Sequence, residues 1–300
     1  MKEKIYFHIP GFFEFFNLNK TLVEFMKKSP EYFYDDFEIG SIYGTFPNAI
    51  WNGGRVCFGI CFKQTMIDII EYFNKNNIPL RYTFTNSLLS NEHTYDTYCN
   101  LIMKLSDNGF NQVLVNNDVL ENYIRTKYPK YKIISSTTKR IVDKNKLNDE
   151  MNKDYHLVVL DYDLNKDFDY LKTIVEKDKI EILVDELCKH NCPYRKKHYE
   201  ILARAQLEYS NNSGFTCDYT NVQNGNIGFE KIRNNKNFID RNQLNQYIEM
   251  GFKNFKLVGR NTDINFVIDS YIHYFVKDEF KEKMKIEFIT SLNKKNMIDI

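Results

Sequence analysis

Short apolar runs alternate with longer amphipathic ones along almost the whole chain, and that alternation of a two-residue with a 3.6-residue period predicts strands alternating with helices. "IYFHIP" (5–10) reads as the first strand and "LNKTLVEFMKK" (18–28) as the first helix. Strands follow at 37–44, 80–86, 112–117, 131–137, 155–163, 180–187 and 255–260. Helices are expected in between over "FKQTMIDIIEYFNKNN", over "HTYDTYCNLIMKLSDNG" with Asn108-Gly109 as its stop, and over "DVLENYIRTKY" capped by Asp118. Shorter ones are expected around 146–152 and over "KDFDYLKTIVEK", another runs from the seventh strand to about Tyr209, and others lie near 241–250 and beyond the eighth strand.

Eight strands each followed by a helix is the count of a (β/α)8 barrel, and unbroken apolar strands such as "HLVVL" and "IEILV" suit a sheet buried on both faces. The expectation is α/β: one TIM-like barrel over residues 1–300, with an aperiodic insertion after the seventh strand at about 210–240. An open doubly wound sheet would allow the same alternation, but no G-x-G-x-x-G follows the first strand.

Composition narrows the partners. With 41 basic and 40 acidic side chains the formal charge is +1, so charge does not point to nucleic acid. Aromatic residues, 15% of the chain, are spread through the apolar segments and are read as core. No run approaches the roughly 18 to 20 apolar residues of a membrane span, and the start lacks a signal peptide's apolar stretch. A cytoplasmic protein is expected, with a small-molecule substrate and room for a protein partner. Its six cysteines would then be reduced, leaving burial, catalysis or metal binding as their fates.

Barrel active sites are built from strand exits, and here those exits are polar: His8, Tyr43, Asn86, Asn116, Ser135 to Thr137, Asp161, Asp163, Asp185, Glu186 and Arg260. Such residues also cap helices and form turns, but together they describe a mouth able to hydrogen-bond a polar ligand. Asn86, Asn116, Asp161, Glu186 and Arg195 are the candidates for positioning or transforming a substrate, with Arg195 as a fork for an anionic group.

At the seventh exit stands "VDELCKHNCPYRKKHYE" (184–200). Cys188 and Cys192 are spaced so that two thiolates can converge on one metal, and Cys217 in the insertion is the candidate third ligand. Pro193 reads as a first helical position, where it sacrifices no hydrogen bond. A [4Fe–4S] cluster is the expected cofactor. His198 or His190 as fourth ligand would shift the site toward zinc and a hydrolase. The radical-enzyme motif C-x3-C-x2-C is closed by Arg195, which stands where its third cysteine belongs. Cys57, Cys61 and Cys99 lie in apolar surroundings and are read as packing.

"FEIGSIYGTFPNAIWNGGR" followed by "VDELCKHNCPYRKKHY" resembles the peptidase U32 superfamily over roughly residues 1–220. Tyr43, Gly44 and Arg55 match its strand-two motif, and Cys188, Cys192 and Cys217 its clustered cysteines; no fourth cysteine matches. The resemblance implies a barrel and one of two activities. Some members are called collagenase-like peptidases, whereas others hold a [4Fe–4S] cluster and take part in hydroxylating RNA or ubiquinone precursors. The expected function is thus a metal- or cluster-binding enzyme for a small polar or modified-nucleoside substrate. The alternatives are a peptidase-like or zinc hydrolase and a non-catalytic ligand- or partner-binding barrel.

Overall fold

The computed structural model describes residues 4–210, 217 and 228–294. Its elements are β1 (Ile5–Pro10), α1 (Phe16–Lys28), β2 (Phe37–Gly44), α2 (Lys63–Lys75), β3 (Leu80–Phe84), α3 (Thr97–Leu105), β4 (Gln112–Val115) and α4 (Asp118–Lys127). They continue as β5 (Lys132–Ser135), α5 (Lys144–Met151), β6 (Leu157–Val159), α6 (Phe168–Thr173), β7 (Ile180–Leu183) and α7 (Arg195–Leu207). α8 (Phe229–Ile232), α9 (Leu244–Glu249), β8 (Asn254–Lys256), α10 (Ile264–Phe275) and α11 (Lys281–Asn293) complete them. The strands pair in parallel as one closed barrel in chain order, β8 returning to β1. This is the α/β architecture that the alternating pattern predicts.

Some boundaries differ for local reasons. The helix expected to stop at Asn108-Gly109 ends at Leu105, with Ser106 as its cap, and Gly109 takes its positive φ of 76° in the turn beyond. Asn117, not Asp118, caps α4: its side chain accepts from the Leu120 amide, and Asp118 is already helical. Pro193 lies ahead of α7, which opens at Arg195. The expected insertion lies partly outside the described residues, and within it α8 is a short helix.

Outward side chains of the strands pack against the helical ring. Phe7 meets Phe275 with ring centroids 5.0 Å apart, and Phe25 of α1 meets Phe288 of α11 at 5.1 Å. Inside the barrel, Leu114, Ile134, Leu157, Val159 and Leu183 form a separate apolar layer. Beside it lies a charged layer on neighbouring strands. Arg81 forms an ion pair with Glu181 across the barrel, its Nε donates to Gln112 Oε1 at 2.8 Å, and its NH2 group meets His8 Nδ1 at 3.0 Å. Lys256 Nζ stands 3.4 Å from Glu181 Oε1.

Arginine can only donate, so His8 Nδ1 accepts, and the ring carries its proton on Nε2, facing Asn254 Oδ1 at 3.2 Å. Burial, reinforced by Arg81, pushes the imidazole down to about 3, so it is neutral. Burial alone would push the Glu181 carboxyl up, but Arg81, His8 and Lys256 outweigh it and hold the group far below the usual carboxylate range. Gly40 makes room for the ring. It falls where the β1–β2 register shifts between Phe7 and His8, and a Cβ there would lie 2.8 Å from His8 Cε1.

A buried ion pair stripped of one partner leaves an unpaired charge, typically a loss of about 3–5 kcal/mol. Arg81→Met should therefore lower stability to urea by about that amount, and the double variant Arg81→Met/Glu181→Leu by less than the single one. A loss in the double variant equal to the sum of those of Arg81→Met and Glu181→Leu would mean that the charges are not coupled.

Candidate active site at the barrel mouth

The strand exits enclose a cavity of about 70 Å³. Four cations line it, Arg55, Arg195, Lys256 and Arg260, against a single carboxylate, Glu186. Tyr43, Thr83, Thr85, Thr138 and Tyr199 supply hydroxyls, and Leu114, Leu183 and Val258 form the apolar floor. No histidine is among the lining residues.

The loop after β2 carries Arg55 over the barrel end. The Asn86 amide donates to the Trp51 carbonyl at 3.1 Å and the Gly53 amide to the Thr83 carbonyl at 3.2 Å, which lays the loop against the exit of β3. Gly53 is required there because a Cβ would fall 2.4 Å from the Thr85 carbonyl oxygen. Neutral acceptors hold Arg260: its guanidinium donates to Asn52 Oδ1 (3.0 Å), Thr83 Oγ1 (2.8 Å) and the Gly53 carbonyl (3.0 Å). Burial works against its charge and lowers its affinity for the proton, with Arg55 adding to the effect.

On the opposite side, Arg195 opens α7 and is buried. One of its nitrogens donates to Cys188 Sγ at 3.0 Å and another approaches Glu186 Oε1 at 3.5 Å, while its plane stacks on Tyr199 with 4.4 Å to the ring centroid. Its Nε is buried without a hydrogen-bond partner. Glu186 Oε1 also accepts from the Cys188 amide at 2.9 Å.

The sequence-derived candidates separate accordingly. Glu186 and Arg195 line the cavity, and Asn116 reaches its edge through a 2.8 Å hydrogen bond to Thr138 Oγ1. Asp161 lies in the adjoining wall, where Arg140 donates to its Oδ1 at 2.7 Å and burial pushes its carboxyl up to about 6. Its Oδ2 is buried with no hydrogen-bond partner. Asn86 donates to the Ile50 and Ala203 carbonyls, each at 3.0 Å, tying the loop after β2 to α7. Lys256 is the lining residue that a list of exits passes over, since it stands inside the strand. Its signal is a charged residue at an inward position of "NFKLVGR", in step with Val258 and Arg260.

Among the described residues no group of three or more His, Cys, Asp or Glu side chains is placed to hold a metal ion. Cys188 is buried, its sulfur accepts from Arg195 at 3.0 Å, and burial pushes its thiol up, with Arg195 acting in the opposite direction. Cys192 is half-buried, and Cys217 stands between segments outside the described residues. His198, on α7, is pushed down to about 4 by burial and by Arg55 and Arg195, which keeps it neutral in a cationic neighbourhood.

Comparison with solved structures places the architecture. The U32 peptidase Mk0906 superposes with a TM-score of 0.52 over 86% of this chain and 94% of that one, at 13% identity. The two chains share the barrel fold. In sequence, 173 residues are 23% identical to an uncharacterized protease of Methanocaldococcus jannaschii. The match takes in 56% of this chain and 51% of the relative, so it spans about half the relative's length. No family model matches the chain. Among the described residues, no helix is long and apolar enough to cross a membrane.

Behind the mouth, Asp185 supplies a pH test. It is fully buried, its Oδ1 accepts from the Val258 amide at 2.7 Å and its Oδ2 from Ser270 Oγ at 2.8 Å, and burial pushes its carboxyl up to about 7. A carboxyl raised above its unfolded value binds its proton more tightly when folded, so stability falls as pH rises from about 4 to about 7 and then levels off. Asn in its place keeps an acceptor for Val258 and can donate to Ser270. Asp185→Asn should match the parent near pH 4 and exceed its urea stability above pH 7 by roughly 1–3 kcal/mol. A constant difference at all pH values would contradict the shift.

Proposed function

We propose that this U32-like barrel is an enzyme for a small polar substrate bearing a carboxylate or phosphate group, and that the group enters the barrel mouth between Arg55, Arg195, Lys256 and Arg260. The observation that supports this reading is the charge imbalance: four cations line the cavity against Glu186 alone, and Arg260 is held by neutral oxygens. Cations placed together in a dry cleft repel one another, and an anion that enters relieves the repulsion while replacing lost water. Planar guanidinium forks match the paired oxygens of a carboxylate or phosphate.

The cavity holds a group of that size rather than a whole ligand, so the remainder of the substrate would extend past the loop of Arg55 and the start of α7. Glu186, beside Arg195, is the carboxylate available for proton transfer at the substrate. The archaeal relative is named as a protease, and a peptide's terminal carboxylate belongs to the proposed class.

Calorimetric titration with inorganic phosphate and with acetate tests the reading. Saturable binding is expected, weakened at least about 10-fold by Arg260→Ala, a change worth about 1.4 kcal/mol, and weakened further by added salt. Binding that Arg260→Ala leaves untouched, or no binding of either anion, would overturn it.

A further inference from the structure

Lys256 differs from the other cations of the mouth. It is the lysine among three arginines, and lysine is the one that can shed its proton near neutral pH. Its side chain is buried, yet it lines the cavity, with Nζ 4.2 Å from the centre of the Tyr43 ring. Glu181 Oε1, at 3.4 Å, belongs to a carboxylate already paired with Arg81 and within 3.4 Å of His8 Nε2. Arg81 below and Arg260 above both disfavour a further positive charge, while His8 on the neighbouring strand is neutral. Arg55, Arg195 and Glu186 line the same cavity, and Tyr43 stays a neutral phenol because burial raises it far above its usual range.

Resting on the anion-binding reading above, we infer that Lys256 is an amine nucleophile that condenses with the carbonyl carbon of a small oxo acid whose carboxylate lies against the arginines. Nζ adds to the carbonyl carbon, forming the C–N bond. The carbonyl oxygen takes both amine protons and leaves as water, so a C=N imine replaces the C=O bond without oxidation or reduction. Desolvation beside other cations is the setting that frees a lysine for such chemistry. Burial first, then Arg81 and Arg260, against the opposing pull of Glu181, push the amine down to about 8.

The experiment is reductive trapping. The protein is incubated with glyoxylate, or with propanal as an aldehyde lacking the anion, borohydride is added as the hydride donor, and the modified peptide is mapped by mass spectrometry. Lys256 is expected to be the dominant adduct with glyoxylate, with half-maximal labelling near pH 8, at least 10-fold preference over propanal, and loss of labelling when phosphate is present. Lys256→Arg should lose the adduct, and because mapping is done on the unaltered chain the result does not depend on how that variant folds. Adducts spread over surface lysines with Lys256 unmodified would overturn the inference while phosphate binding stands by calorimetry. Equal trapping of propanal and glyoxylate at Lys256, insensitive to phosphate, would overturn the oxo-acid assignment through failure of the anion reading.

Discussion

The ion pair between Arg81 and Glu181 spans the interior of the barrel, and the arrangement of the mouth rests on it. A closed eight-stranded barrel must fill its centre with side chains, and here one layer of the filling is charged rather than aliphatic. Glu181 can remain ionised in the dry interior because Arg81, Lys256 and the Nε2–H of His8 surround it. In return the carboxylate fixes Lys256 at the level where the charged layer gives way to the cavity. Gly40, at the register shift of β1 and β2, supplies the space the His8 ring occupies.

Above that layer the balance of charge changes. Below the cavity, Arg81 and Glu181 pair at short range; around it, cations outnumber carboxylates. The excess is held in place by hydrogen bonds to neutral groups, Arg260 by Asn52, Thr83 and Gly53, and by aromatic stacking of Arg195 on Tyr199. Such fixed dipoles and rings orient a guanidinium without neutralising it, leaving its field for a ligand. Lys256 belongs to both layers, and that shared position is the physical link between the stability of the barrel and its proposed chemistry.

The barrel was legible in the sequence because a sheet buried on both faces requires continuous apolar strands, and "HLVVL" and "IEILV" show them. The strand-exit rule likewise brought Glu186, Arg195 and Arg260 to the mouth. Charged residues inside strands were less legible. Arg81 and Glu181 each interrupt an apolar run, yet their partnership crosses 100 positions of sequence and depends on barrel closure. Asn86 shows the opposite limit: it leaves β3 at the right height, but its amide is consumed by the Ile50 and Ala203 carbonyls. In the motif at 184–200 Arg195 folds back onto Cys188, a contact that spacing alone does not reveal.

The mouth of this barrel is the proposed site for an anionic group. Crystals soaked in selenate, whose heavy atom is located by anomalous scattering, test it most directly. The account predicts a strong peak inside the cavity, within hydrogen-bond reach of Arg260 and at least one of Arg55, Arg195 and Lys256. Selenate bound only on the outer surface, with the mouth holding water alone, would contradict it.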